Sequence, residues 1–138
     1  MKAAVIRKAS FNAAHRLHIP KWSDKKNSDF FGICNSPNFH GHNYDLEVKV
    51  IGAIDEETGI VVELKWLNKI IQKEVVKRFD HKNLNMDTKE FENLNPTVEN
   101  IAVVIYNILR KRLDKSLDIK IKLYETNKNS VEYPYSVD

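Results

Sequence analysis

Residues 42–54 read HNYDLEVKVIGAI, and the pattern of this stretch is the main basis for predicting the fold of the chain. Apolar and charged side chains take alternate positions in it: Tyr44, Leu46, Val48 and Val50 alternate with Asp45, Glu47 and Lys49. Because successive side chains of a strand point to opposite faces of a sheet, the alternation predicts a strand with one face against a core and the other in water. One-sided strands of this kind are typical of antiparallel sheets.

Three more strands are predicted, one before this stretch in the sequence and two after it. Residues 3–16, AAVIRKASFNAAHR, carry apolar side chains in one alternation phase, and we expect them to pair antiparallel with 42–54. The last two strands are indicated by apolar residues at every second position on either side of a turn at 127–129: Ile119, Ile121 and Leu123 before it, and Val131, Tyr133 and Tyr135 after it.

Two helices are predicted between the second and third strands. Apolar residues recur at intervals of three and four from Leu64 to Val75, which indicates an amphipathic helix that ends near Phe79. Thr97 is placed to cap a second helix, with Glu99 in its first turn. The order strand–strand–helix–helix–strand–strand predicts an α+β fold, in which two helices cover one face of a four-stranded antiparallel sheet.

Length and composition favour a single soluble domain over residues 1–138, with 42% hydrophobic and 30% charged residues and no apolar run near the roughly 20 residues of a membrane span. The net charge of +3 is compatible with an anionic small molecule, whereas the scattered lysines lack the interleaved aromatics of a nucleic-acid binder. The N-terminus lacks a signal-peptide pattern, and one cysteine cannot form an internal disulfide, so we expect a cytoplasmic protein.

Three histidines have the placement expected of a metal site. His40 and His42 stand two positions apart on a strand, so their imidazoles point to the same side, and Gly41 lets the backbone come close. His15, at the far end of the preceding strand, is the candidate for the third ligand, because hairpin-like pairing is expected to bring residues 15 and 42 near each other. Catalytic zinc sites use three protein ligands, and neutral imidazoles suit Zn²⁺ better than Mg²⁺ or Ca²⁺. The alternative is that these histidines are ordinary hydrogen-bonded side chains.

The chain's only cysteine, Cys34, lies in a polar stretch, residues 18–38, that has no regular pattern. A connection of this length inside a compact domain usually has a function. Cys34 has two interpretations: it is a fourth zinc ligand that closes a structural site, or it is a free thiol beside the metal, whose pKa a nearby cation would lower. The spacing leaves both open.

Four further residues are candidates for chemistry or binding. Asp80 and His81, at the end of the first helix, form either a carboxylate–histidine pair for proton transfer or an ordinary helix end. Glu125 continues the buried phase of the third strand, so its carboxylate should point inward towards a basic side chain or a ligand with two parallel N–H donors. Thr97 is explained as a helix cap, with ligand contact as a second role.

Taken together, these motifs resemble the 6-pyruvoyl-tetrahydropterin synthase family, and the resemblance runs from about residue 5 to the last strand. Five blocks carry it in order: FNAAHRL (11–17), FGICNSPNFHGHNY (31–44), FDHKNLN (79–85), NPTVENIA (95–102) and LYETNKNSV (123–131).

The resemblance implies a zinc enzyme that acts on 7,8-dihydroneopterin triphosphate. It assigns the site residues as follows: His15, His40 and His42 as zinc ligands, Cys34 as the catalytic proton acceptor, Asp80 and His81 as paired relay residues, Glu125 as the carboxylate that anchors the pterin, and Thr97 in a segment that lines the pterin pocket. It further implies the family's T-fold, in which three subunits close a twelve-stranded barrel and two trimers stack as a hexamer. The active sites then lie between subunits.

Two activities share this fold. One forms 6-pyruvoyl-tetrahydropterin, and the other forms 6-carboxy-tetrahydropterin in the queuosine pathway, with release of acetaldehyde and triphosphate. The five residues between Cys34 and His40 favour the pyruvoyl type. Outside this family, a non-catalytic zinc-stabilised module with Cys34 as fourth ligand and a simple zinc hydrolase are the alternatives.

Overall fold

The computed structural model describes residues 1–136. Its strands are β1 (Lys2–His15), β2 (His40–Ala53), β3 (Lys82–Asn83), β4 (Asp118–Tyr124) and β5 (Ser130–Tyr133). Its helices are α1 (Asp24–Phe31), α2 (Leu64–Ile71), α3 (Lys77–Phe79), α4 (Leu84–Asp87) and α5 (Val98–Arg110). A 3-10 turn (Gly32–Asn35) follows α1, and a π-helical turn (Gln72–Val76) joins α2 to α3. Within these residues, no helix is long and apolar enough to cross a membrane.

The strands form one mixed sheet in the order β3-β1-β2-β4-β5. β1 and β2 pair antiparallel along their whole length, from Lys2 opposite Ala53 to His15 opposite His40. β4 pairs antiparallel with both β2 and β5. β3 runs parallel to β1 and pairs only with its residues 13 and 14. Among the described residues, the outer edge of β1 from residue 2 to 12 therefore has no neighbouring strand.

The α+β fold, the four predicted strands and the two predicted helices are confirmed, and three details are corrected. The sheet is five-stranded and mixed, not four-stranded and antiparallel, because β3 is a two-residue strand, too short to show an alternation in the sequence. Residues 18–38 contain α1, whose one buried residue is Asn27, so no apolar period marks it. The fourth strand ends at Tyr133, before Tyr135.

The core lies between one face of the sheet and the helices α2 and α5. Its fully buried members from the strands include Tyr44, Leu46, Val48, Val50, Ile121 and Leu123, and those from the helices include Leu67, Ile71, Ile101, Ile105 and Leu109. Full burial of each such side chain contributes about 1.5–3 kcal/mol. Because a slip of one residue would turn this whole face towards water, the core fixes the register of β1 on β2.

Candidate metal centre and active site

The register of β1 on β2 brings three histidines together at the end of the buried sheet face. His15 is paired with His40, and His42 is opposite Ala13. One ligand atom from each histidine lies within 4.8 Å of the others, so the group could hold a metal ion. A Cβ on Gly41 would meet the carbonyl oxygen of Ala13 at 3.5 Å, an ordinary contact, so within this chain the close pairing does not depend on glycine.

His15 is the most firmly held of the three. Its ring is completely buried, and its Nδ1 donates a hydrogen bond of 2.8 Å to the carbonyl oxygen of Pro96. The pKa of His15 is lowered to about 4, chiefly by burial and to a smaller extent by the neighbouring His40 and His42, while the bond to Pro96 opposes the shift. The imidazole is therefore neutral near neutral pH. With Nδ1 protonated, Nε2 has a free lone pair that faces the other histidines.

The other two rings carry unpartnered nitrogens that fit a metal. His40 Nδ1 and His42 Nε2 are buried and have no hydrogen-bond partner among the described residues. His40 Nε2 lies 3.1 Å from His15 Nε2. Burial lowers the pKa of His40, which also favours a neutral ring. A buried polar atom without a partner costs free energy, and a cation among these nitrogens would remove that cost.

Glu125 and Cys34 lie beside the three histidines. The Glu125 carboxylate follows the end of β4, is 19% exposed, and places Oε2 at 3.8 Å from His15 Nε2. Cys34 is partly buried in the 3-10 turn, and its carbonyl oxygen accepts a 2.9 Å bond from the backbone N–H of Leu17. Burial raises the pKa of the Cys34 thiol, and the Glu125 carboxylate raises it further.

The geometry bears on whether Cys34 is a fourth metal ligand. Within residues 1–136, the donor atoms that meet within 4.8 Å of one another belong to the three histidines, and the sulfur of Cys34 is not among them. A metal held by these three ligands would keep a fourth position open, as a catalytic site does, and this arrangement favours the interpretation of Cys34 as a free thiol.

Asp80 and His81 lie at the edge of β1, bonded to Asn12. Asp80 Oδ1 accepts a 2.8 Å bond from the Asn12 N–H, and the His81 N–H donates a 2.5 Å bond to the Asn12 carbonyl oxygen. His81 has φ +59, which turns its ring back, so that Nδ1 is 2.9 Å from Asp80 Oδ2. The bond from Asn12, and then His81, lower the pKa of Asp80. No contact described within residues 1–136 joins this pair to the three histidines.

Thr97 caps α5, as its sequence position predicts, because its hydroxyl accepts a 3.1 Å bond from the Asn100 N–H. The cap places the preceding Pro96 carbonyl oxygen against His15. Two contacts of His15 could not be predicted from the sequence. The first is with the Pro96 carbonyl oxygen, a backbone atom that leaves no side-chain signal. The second is with Tyr44, whose hydroxyl lies 3.3 Å from His15 Nδ1, although its position in the sequence predicts only a core residue.

The mixed α+β fold brings together three imidazoles that could hold a metal ion, which is an arrangement typical of metal-dependent enzymes. The family model of 6-pyruvoyl tetrahydropterin synthase matches residues 4–135, and the chain belongs to this family of lyases. It is 45% identical over 132 residues to the 6-pyruvoyl tetrahydrobiopterin synthase of Homo sapiens, which covers 96% of this chain and 91% of that protein.

A solved structure and a relative of another name extend the comparison. The structure of Caenorhabditis elegans 6-pyruvoyl tetrahydropterin synthase superposes with a TM-score of 0.92 at 38% identity and covers 99% of this chain and 97% of that chain. The dihydroneopterin monophosphate aldolase of Pyrococcus furiosus is 38% identical over 135 residues, which is 96% of this chain and 97% of that protein.

Proposed function

We propose that this chain, as a single domain over residues 1–138, converts 7,8-dihydroneopterin triphosphate to 6-pyruvoyl-tetrahydropterin and releases triphosphate. The observation that carries the proposal is the convergence of three imidazoles, one buried and two partly buried, beside Glu125 and Cys34, in a chain of the 6-pyruvoyl tetrahydropterin synthase family. The ring gains the two hydrogens that the side-chain diol loses, so the redox change is internal and needs no external oxidant.

Zinc is the metal we propose for the centre, held by His15, His40 and His42. Three neutral imidazoles without a carboxylate among the ligands favour Zn²⁺ over Mg²⁺ or Ca²⁺. Bound there, zinc would supply a Lewis acid that polarises the hydroxyl oxygens of the substrate side chain and acidifies the neighbouring bonds to hydrogen. The hydrogen bond from His15 to Pro96 keeps the ligand ring in one orientation.

Glu125 would anchor the pterin. A carboxylate binds two parallel N–H donors bidentately, and the 2-amino and N3 positions of a pterin present such a pair. The side chain is 19% exposed and lies 3.8 Å from a metal ligand, so a ring bound by it would extend its side chain towards the metal. Thr97, beside Pro96, belongs to the segment that we expect to line the same pocket.

Cys34 would accept a proton from the substrate side chain. In the metal-free chain burial raises the pKa of this thiol, and a cation in the centre would oppose that shift and make the thiolate available. Asp80 and His81 would return a proton, with the carboxylate orienting the ring.

The position of Asp80 and His81 supports an assembly. Their contacts are with the edge of β1, so we propose that they serve the active site of a neighbouring subunit. The unpaired edge of β1 suits the closure of a trimeric barrel, two of which would form a hexamer. We propose that this assembly works in the cytoplasm.

Product analysis by mass spectrometry tests the activity. Zinc-loaded protein is incubated with 7,8-dihydroneopterin triphosphate, and Cys34→Ala serves as the matched variant. A 6-pyruvoyl product that the variant does not form supports the proposal. A 6-carboxy product with acetaldehyde would move the protein to the queuosine branch, and turnover of dihydroneopterin monophosphate alone would replace the proposal with an aldolase. Full activity of Cys34→Ala would favour a simple zinc hydrolase.

Removal of the metal tests the non-catalytic alternative. Because the apolar core is built without the three histidines, we expect the chelated protein to keep its circular dichroism spectrum. Unfolding on chelation, together with protection of Cys34 from alkylation by zinc and no turnover, would instead support a structural zinc module.

A further inference from the structure

A second polar cleft lies next to the metal centre. Its volume is about 380 Å³, and its lining includes Arg16, His18, Phe39, Asn95 and Pro96. Phe39 precedes the ligand His40, and the Pro96 carbonyl oxygen accepts the hydrogen bond from the ligand His15, so the cleft borders the centre. Nothing in the proposed chemistry uses it so far.

The hydrogen bonds of His18 determine which of its nitrogens faces outward as a donor. Asn35 is buried, and its Nδ2 donates to the carbonyl oxygen of Leu17 at 2.8 Å, which fixes the orientation of the amide because a carbonyl oxygen can only accept. The same Nδ2 lies 2.9 Å from His18 Nδ1, so Nδ1 accepts. The neutral ring therefore carries its hydrogen on Nε2, and that N–H is available to the cleft.

Arg16 offers a second and stronger donor. Its Nε donates a 2.9 Å bond to the Asn35 carbonyl oxygen, and its backbone is held on both sides by the side-chain amide of Asn85. These bonds fix the side chain and leave both Nη groups without a partner among residues 1–136. A guanidinium held in this way is suited to bidentate binding of a phosphate group.

Asn95 adds a third donor. Its Oδ1 accepts a 3.0 Å bond from the His18 N–H, so the amide orientation is fixed and its Nδ2 remains free for the cleft. Among the described residues that line the cleft, Glu92 is the one carboxylate; it is exposed and makes no ion pair with Arg16. The donors outnumber the fixed negative charge, which suits the cleft to an anion.

We propose that Arg16, His18 and Asn95 bind the phosphate chain of the substrate, which reaches this cleft when the side-chain hydroxyls are at the metal. This inference rests on the proposed function for the identity of the substrate. The segment that carries Arg16 and His18 is bonded to the segment of Cys34, through the Leu17 N–H and the Cys34 carbonyl oxygen. Binding of the phosphates would thus fix the position of the Cys34 segment relative to the metal ligand His15, which precedes Arg16.

Titration calorimetry with inorganic tripolyphosphate tests the site without turnover. We expect Arg16→Gln in the zinc-loaded protein to weaken tripolyphosphate binding at least tenfold relative to wild type. His18→Asn keeps an acceptor for Asn35 but loses the outward N–H, and should weaken binding about threefold to tenfold. His18→Gln extends an amide to the position of Nε2 and should restore most of the affinity. Lys73→Gln, which removes one charge from the exposed face of the π-helical turn, controls for net charge.

Kinetics with the pterin substrate distinguish this proposal from the proposed function. Arg16→Gln should raise KM for 7,8-dihydroneopterin triphosphate at least tenfold and change kcat less than threefold. Two results together would overturn the proposal. Arg16→Gln would bind tripolyphosphate as tightly as the control Lys73→Gln, or more tightly. His18→Asn would likewise bind it as tightly as His18→Gln, or more tightly. Tripolyphosphate binding by a wild-type protein that shows no turnover of the pterin substrate would support the anion site and reject the activity. If Arg16→Gln fails to fold, the comparison of His18→Asn with His18→Gln tests the proposal by itself. The zinc content, measured after each titration, shows whether tripolyphosphate has removed the metal from the protein.

Discussion

The three histidines and the Asp80–His81 pair are held in opposite ways. The histidines lie at the ends of two paired strands on the buried face, and His15 is completely enclosed and bonded to the Pro96 carbonyl oxygen. The side chain of His81 is 82% exposed, and the pair is positioned by bonds to the backbone of Asn12 and by the bond from the Asp80 N–H to the Val76 carbonyl oxygen. The first group could bind a metal within one chain. The second is preorganised but has no contact with the three histidines among residues 1–136, which is the pattern expected of a group that completes another subunit's site.

The largest effect should follow from loss of a metal ligand. His42→Ala removes one of the three imidazoles, and the activity should fall at least about 1,000-fold, since the Lewis acid contributes several kcal/mol. The zinc content, measured by atomic emission, should fall with it. His81→Ala is the matched control, because it should retain stoichiometric zinc; equal loss of zinc in both variants would contradict the separation of the two regions.

Loss of the exposed pair should reduce turnover without loss of metal. His81→Ala should lower kcat by roughly 100-fold to 10,000-fold, the usual contribution of a general acid or base. The decisive measurement mixes inactive His81→Ala with inactive Cys34→Ala after dissociation and reassembly. If sites form between chains, random mixing gives about a quarter of them both residues intact, and activity returns. Activity that stays absent in assembled mixtures would place the pair and the thiol in the same chain's site.

A smaller effect is expected at the pterin anchor. Glu125→Gln keeps the size of the side chain but removes its charge and one acceptor, and should reduce kcat/KM by roughly 10-fold to 100-fold, since a charge-assisted hydrogen bond contributes about 1.5–3 kcal/mol. Steady-state kinetics provide the measurement, and the exposed Glu56→Gln is the control. An unchanged kcat/KM would mean that the carboxylate only balances charge beside His15.

The smallest effect should be one of stability. Thr97→Ala removes the cap of α5 and should lower the free energy of unfolding by about 1 kcal/mol. Thr97→Ser keeps the hydroxyl and should lie within a few tenths of a kcal/mol of wild type. Urea denaturation measures both. If Thr97→Ala retained its stability but lost affinity for the pterin, ligand contact and not capping would be the main role of the residue.

The parts of the fold that could be predicted are those with a long apolar period. β2 alternates from Tyr44 to Val50 and was predicted close to its observed bounds, and the capping threonine of α5 marks the residue at which that helix begins. α1 was missed because its buried residue is a polar asparagine, and β3 because two residues are too few for a pattern. The local sequence pattern therefore predicts the helices and strands whose apolar side chains face the core. It does not predict elements that are held by a side-chain amide, such as α1, or by pairing at one edge of the sheet, such as β3.

The candidate site divides in the same way. The period of two placed His40 and His42 on one side, and pairing of the strands brought His15 to them, although its strand partner is His40 and not His42. The cooperation of Asp80 with His81 depends on a positive φ that adjacent residues do not reveal. The roles assigned to Cys34, Glu125 and the pair remain predictions, because a reaction is defined by a substrate as well as by the residues around it.

The open edge of β1 has a consequence for the newly made chain. Ten or so unpaired backbone positions, with Ile6 half exposed among them, form a template on which any other extended segment can add. Lys2, Arg7 and Lys8 on this strand disfavour such additions by charge repulsion. A single chain with this edge uncovered would rely on these charges to oppose aggregation. Substitutions that neutralise them should therefore reduce the yield of recoverable protein in the cell, even where the specific activity of the surviving molecules is unchanged.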